Sequence, residues 1–183
     1  MYDKITISGR VCTGKTTLFF DLQQKLIWPT FSASYFFRDY AAAKHLSLEK
    51  ASEQSDQLTQ IIDYGMGELL KKKDNIIFEG WMTGIIAHDL PHVLRVLLTC
   101  DDDVRARRLS LRENLSKEVA LQKITEREVN LFKRLEEIYH RKDFVDPKNY
   151  NLVIDTTKST PEETLSLVLK TLGRKEANSQ KLA

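Results

Sequence analysis

Eight residues near the amino end, Gly9-Arg10-Val11-Cys12-Thr13-Gly14-Lys15-Thr16, set two glycines, a lysine and a hydroxyl at the spacing G-x-x-x-x-G-K-[ST]. Such a loop turns successive backbone N–H groups toward phosphate oxygens, and a helix that follows it adds the positive end of its dipole. The residues from Gly9 to Thr17 are therefore expected to cradle the phosphates of ATP. Lys15 would reach the β- and γ-phosphates and the Thr16 hydroxyl would ligate Mg²⁺. Cys12, inside the loop, reads either as a reactive thiol or as a small side chain that fits there.

A second group with chemical use is the carboxylate in Phe78-Glu79-Gly80, at the end of an apolar run. Beside a phosphate loop it would hold Mg²⁺, directly or through water, or act as general base if the acceptor were an alcohol. Arginine is unevenly spread, because residues 101–141 hold Arg105, Arg107, Arg108, Arg112, Arg127, Arg134 and Arg141, seven of the eleven in the chain. Planar bidentate forks suit transferring phosphates, whereas on a plain solvated helix lysine would serve as well. Arg107 and Arg141 are the expected bystanders. His88 and His92 are separated by Pro91, which breaks the helix that would aim both at one metal, so no metal is expected beyond Mg²⁺ carried with the nucleotide.

These groups need elements to position them. Ile5-Thr6-Ile7 alternates as a strand into Gly9, and Lys15 to Leu26 carries apolar residues at helical spacing. A short strand over Trp28 to Ser32, a helix over Tyr35 to Lys44 capped by Ser34, and a mostly helical stretch from Leu48 to Lys73, weakened at Gly65 and Gly67, come next. Ile76-Ile77-Phe78 and Val93 to Thr99 read as strands covered on both faces. Asp101-Asp102-Asp103 opens a helix interrupted at Asn114, and a long helix runs from Lys117 to His140. Leu152-Val153-Ile154 is the fifth strand, and Thr160-Pro161-Glu162-Glu163 caps a last helix that stops near Gly173. Five strands alternating with helices predict an α/β fold with a mostly parallel sheet flanked by helices, and ligands beyond the carboxyl ends of the strands.

The 183 residues are 42% hydrophobic and 30% charged, with a net charge of +2. That balance excludes disordered and fibrous classes and argues against wholesale nucleic-acid or membrane binding, leaving a small molecule as the expected partner. Cys12 and Cys100 form no disulfide framework or C-x-x-C pair, and the start of the chain lacks the features of a signal peptide, so a cytoplasmic location is expected. One domain over residues 1–173 is expected, with 174–183 as a loose tail and a monomer or weak dimer as the assembly.

The ordered set of motifs is similar to the cytidylate kinase family of nucleoside monophosphate kinases, especially its short archaeal-type members. It comprises Ile5-Thr6-Ile7-Ser8-Gly9, the phosphate loop, Ser32-Ala33 with Phe37-Arg38, Ser47-Leu48-Glu49, Phe78-Glu79-Gly80 with Gly84, and Val104-Arg105 with Arg108. Glu126-Arg127-Glu128, Arg134, Tyr150, Val153 to Thr157 and Pro161-Glu162-Glu163 complete it. The resemblance implies a phosphate-loop kinase fold with five parallel strands, a helical acceptor-binding region at about residues 32–72 and a lid at about 112–134. It implies ATP-dependent phosphorylation of a nucleoside monophosphate, CMP or dCMP. Arg108 looks like the arginine stacked on the donor adenine, Arg112, Arg127 and Arg134 look like lid arginines around the transferring phosphoryl, and Arg38 matches the grip on the acceptor phosphate. Thr156 to Ser159 resembles the loop lining the donor base. Ser32, Arg38, Trp81 and Gly84 thus fall in the acceptor site. Two departures lie there: Ser34-Tyr35 where the family usually reads Gly-Asp, and Trp81 where it usually reads arginine. Trp81 would stack on a base or fill a pocket. Phosphorylation of a nucleoside or other small hydroxyl, or nucleotide binding without transfer, are the alternatives.

Overall fold

In a computed structural model, which describes residues 2–45, 55–72 and 74–173, a five-stranded sheet lies between two helical layers. In chain order the elements are β1 (Lys4–Gly9), α1 (Lys15–Leu26), β2 (Thr30–Ser32), α2 (Ala33–Ala43), α3 (Asp56–Lys71), β3 (Ile76–Glu79), α4 (Thr83–Ile86), β4 (Val93–Thr99), α5 (Asp102–Glu113), α6 (Lys117–Tyr139), β5 (Leu152–Asp155) and α7 (Pro161–Leu172). The order across the sheet is β2-β3-β1-β4-β5, and every pair is parallel. β1 is central and wholly buried, with β3 on one side and β4 on the other. The strands after β1 lie first on one side of it, β2 and β3, and then on the other, β4 and β5, so a crevice opens at its carboxyl end, where the glycine-rich loop begins.

The core divides about the sheet. Leu18, Phe19 and Leu22 of α1 and Val168, Leu169 and Leu172 of α7 pack with Ile5, Ile7, Leu94 and Val96 on one side. On the other, Met66 and Leu70 of α3 pack with Phe78, Ala87 and Val93. No helix among the described residues is long and apolar enough to cross a membrane.

The expected elements are present, with local corrections. β2 is only Thr30–Ser32, because Pro29 supplies a carbonyl to Ile77 N–H but no donor of its own. α2 begins at Ala33 and is capped by Ser32, whose hydroxyl accepts from Tyr35 N–H; Ser34, the expected cap, instead lies inside the helix. α3 runs unbroken through Gly65 and Gly67, starting from a Ser55 cap. Ser47-Leu48-Glu49 and the tail lie outside the described residues. A short helix missed in the sequence, α4, carries Thr83 and Gly84 under the sheet.

Gly84 is a packing residue, which corrects its expected place in the acceptor site. A Cβ there would come within 2.2 Å of the Tyr150 ring, and Gly84 N–H donates to Ser8 Oγ at 3.2 Å. The Tyr150 hydroxyl in turn donates to the Phe144 carbonyl, which fixes the ring. Gly84→Ala is expected to lower stability by about 1–3 kcal/mol through overpacking, read as a shifted urea midpoint at unchanged m-value. A midpoint equal to that of the parent would refute the packing role.

Candidate active site

Gly9 is placed by sterics: its φ is +152°, and a Cβ would meet the Leu98 carbonyl oxygen at 2.5 Å. The loop then passes through Cys12, at φ +61°, to Gly14, which caps α1. Val11, Cys12, Gly14, Lys15, Thr16 and Thr17 line one wall of a cleft. Ser34, Arg38, Glu79, Trp81, Arg108, Arg112 and Arg127 face them. Lys15 is nearly buried, donates to the Arg10 carbonyl at 2.8 Å, and holds its ammonium 5.2 Å from the centre of the Trp81 ring. Burial drives its pKa down to about 8, with Arg127 adding to the fall and the Glu79 carboxylate opposing it.

Three expected loop contacts, Gly9, Arg10 and Thr13, do not line the cleft, and the N–H of a fourth, Val11, is already taken. Val11 N–H donates to Glu128 Oε1 at 2.8 Å, and the Arg10 guanidinium reaches Glu128 Oε2, so that N–H and the Arg10 side chain are turned toward α6. Thr13 is buried, its hydroxyl donating to the Arg10 carbonyl and its own carbonyl accepting from Thr156. Gly9 lies beneath the cleft wall. The Glu128 carboxylate is the centre of this knot: Arg105, 1% exposed, donates to it at 2.6 Å and also to the Val11 carbonyl at 3.1 Å. Glu128 lies on the inward stripe with Ala120 and Ile124, four residues apart, which is the one sequence signal that it turns into the protein.

Glu79, at the end of β3, is buried and accepts hydroxyl hydrogen bonds from Ser32 and, at 3.0 Å, from Ser34. Its carboxylate and the Thr16 hydroxyl are hard oxygen donors on the same cleft. Among the described residues no cluster of three or more His, Cys, Asp or Glu is present. That donor set fits Mg²⁺, which keeps waters and phosphate oxygens as most of its ligands, and not a metal that needs an all-protein cage.

Arg108 donates from Nη1 to the Cys12 carbonyl and Thr156 Oγ1 and from Nη2 to the Thr156 carbonyl. With those in-plane donors engaged, its flat face is left for stacking. Beside it Gly14, Thr17, Leu18, Thr156, Ser159, Pro161 and Thr164 line a side cavity, where the resemblance sets the donor base.

A second, more apolar cavity of about 710 Å³, counting its open mouth, adjoins the phosphate cleft. Ser34, Trp81 and Arg127 line both. Its floor is Phe37 of α2, Thr59, Asp63 and Met66 of α3, and Leu131, Arg134 and Leu135 of α6. Arg134, expected with the transferring phosphoryl, lines this cavity and not the phosphate cleft: Nε donates to Asp56 at 2.8 Å and Nη2 to Thr59 at 2.7 Å. Arg112 and Arg127 do line the phosphate cleft. Trp81 and Phe132 pack edge to face with their ring centres 5.1 Å apart, so Trp81 also fills space where the family usually places an arginine.

The sequence reading missed Asp63, Thr59 and Tyr139. The signal was available in α3, whose buried stripe reads Thr59, Asp63, Met66 and Leu70, with a carboxylate on the apolar face.

A glycine-rich loop at the carboxyl edge of a five-stranded parallel sheet, with a lysine inside it and an acceptor-sized cavity opening onto it, defines the phosphate-loop kinases. Shikimate kinase from Bacteroides thetaiotaomicron has a similar fold, with a TM-score of 0.59 at 16% identity over 93% of this chain and 98% of that one. Residues 63–158 match the model of the cytidylate kinase-like family. The cytidylate kinase of Sulfolobus acidocaldarius is 32% identical over 96% of this chain and 97% of its own. That of Methanocaldococcus jannaschii is 34% identical over 90% and 94%. The chain belongs to the cytidylate kinase-like family.

Proposed function

We propose that the protein transfers the γ-phosphate of ATP to CMP or dCMP, giving the diphosphate and ADP. The observation that carries this is the join between the two cavities: Ser34, Trp81 and Arg127 belong to both, so an acceptor in the apolar cavity directs its phosphate at the phosphate loop. The acceptor oxygen of a monophosphate is already anionic, so no general base is required and catalysis is positioning plus charge neutralisation. Lys15 moves from the Arg10 carbonyl to the donor phosphates. Arg38 and Arg127 take the acceptor phosphate in place of the arginine replaced by Trp81, and Arg112 closes over the reacting oxygens. Arg108 and the Thr156–Ser159 loop hold the donor base. Thr16 and Glu79 would hold Mg²⁺, Glu79 in a water-mediated way suited to its two serine hydrogen bonds, and the ion would neutralise charge on the phosphates.

The test is ADP release with Mg·ATP across CMP, dCMP, UMP, AMP and GMP, beside cytidine and small alcohols. Turnover of roughly 1–100 s⁻¹ with CMP and dCMP is expected, as for kinases generally. Release only with cytidine or an alcohol, or tight ATP binding without any acceptor-dependent release, would overturn the proposal.

A further inference from the structure

The acceptor cavity is apolar apart from a few groups, and one of them is placed to read a base. Asp63 lies on the inward stripe of α3 and is 7% exposed. Its Oδ2 accepts the Tyr139 hydroxyl at 2.5 Å, and no other hydrogen-bond donor reaches it among the described residues. A carboxylate so far from water is costly unless something arrives to use it. The mechanism proposed above has no task for it, since the phosphates are handled at the other end of the cavity.

We propose that Asp63 determines acceptor specificity by accepting a hydrogen bond from an exocyclic amino group of a pyrimidine, so that cytosine is taken in preference to uracil. The inference rests on the monophosphate kinase reading of the site. Cytosine presents an amino group where uracil presents a carbonyl oxygen, and a carboxylate attracts the first and repels the second. Tyr139 and Arg134, both on α6, are positioning residues. The phenol fixes one carboxylate oxygen, and Arg134 ties Thr59 and Asp56 of α3 to the same wall.

Among the described residues the charged and titratable groups facing Asp63 are Arg127, Arg134 and Tyr139 from α6 and, on α3 itself, Asp56 through Arg134; the cavity residues of α2 and of the β3–α4 turn carry none. Burial outweighs the Tyr139 hydrogen bond and Arg134, and pushes the Asp63 pKa up to about 6. Protonated Asp63 becomes a donor that suits a carbonyl oxygen. The cytosine-over-uracil preference is therefore expected to be full above about pH 7 and to decline as pH falls through about 6. Ionisation of the acceptor phosphate is common to CMP and UMP and cancels in the ratio.

The experiment measures kcat/KM for CMP and UMP at saturating Mg·ATP for the parent and Asp63→Asn, with the parent ratio followed from pH 5.5 to 8. The amide keeps the shape and can still accept from Tyr139. The CMP/UMP ratio is expected to fall by at least about 30-fold in Asp63→Asn, with the KM for ATP unchanged. Where turnover is too slow, the affinities of CMP and UMP give the same ratio. An unchanged ratio in Asp63→Asn, or a parent ratio flat across pH 6, overturns this assignment. A parent enzyme that phosphorylates no monophosphate overturns the kinase reading instead, so the two failures are distinct.

Discussion

Lys15→Ala is expected to lower acceptor-dependent ADP release by at least about 1000-fold, the scale of losing a cation that stabilises a transferring phosphoryl group. The fold should survive. Lys15 sits in the cleft wall, and the loop carbonyl that takes its hydrogen bond keeps a second donor, the Thr13 hydroxyl. The sign of the stability effect follows from its pKa. The folded protein holds this proton only up to about pH 8, while the unfolded chain holds it to its ordinary value of 10.5. Between those limits the unfolded state binds more protons, so this group makes stability rise with pH; below pH 8 it is a standing penalty. Lys15→Ala removes that penalty, and its melting temperature is expected to equal or exceed that of the parent. In the parent, ATP affinity should fall as pH rises past about 8, because binding then requires proton uptake. Substantial turnover by folded Lys15→Ala protein would refute the phosphate-loop assignment.

The second large effect concerns stability. Glu128→Ala removes the buried carboxylate that Arg10 and Arg105 both address, as they do the exposed Asp102, and to which the Val11 N–H donates. Arg105 is 1% exposed, and its remaining partners are the Val11 carbonyl and Asp102 on the protein surface. Breaking a buried pair from one side strands the other charge, so a loss of about 3–5 kcal/mol is expected in urea denaturation. Glu128→Gln, which retains the shape and an acceptor, should lose less. A change below about 1 kcal/mol for Glu128→Ala would mean that the knot is relaxed by water.

What the sequence disclosed depended on how local the signal is. The phosphate loop, the strands flanking Gly9 and Glu79, and the capping box at Thr160 are written within a few residues, and each is found where its pattern predicts. Gly84 was misread because a motif position carries no record of its neighbour: the Tyr150 ring that forbids a side chain there is 66 residues away. The pairing of Val11 with Glu128 spans 117 residues. The four-residue spacing of Glu128 from Ile124 and Ala120 marks an inward stripe but does not say what the carboxylate meets. Arg134 was assigned to the phosphoryl group on family position alone, and only the packing of α6 against α3 shows that it also ties down Asp56 and Thr59.

Both ends of that packing belong to one helix. Glu128 of α6 is fastened to the phosphate loop, and Arg134 and Tyr139, further along the same 23-residue rod, are fastened to α3. The two anchors at 128 and 134 lie about 9 Å apart along the axis, with their angular offset set by about 100° per residue. The helix therefore acts as a gauge that fixes how far, and at what angle, the base-reading wall stands from the loop. Its length between the anchors is a quantity to be preserved when the acceptor wall is redesigned. Side chains can be exchanged along it, but a residue inserted or deleted between 128 and 134 would swing one wall out of phase with the other.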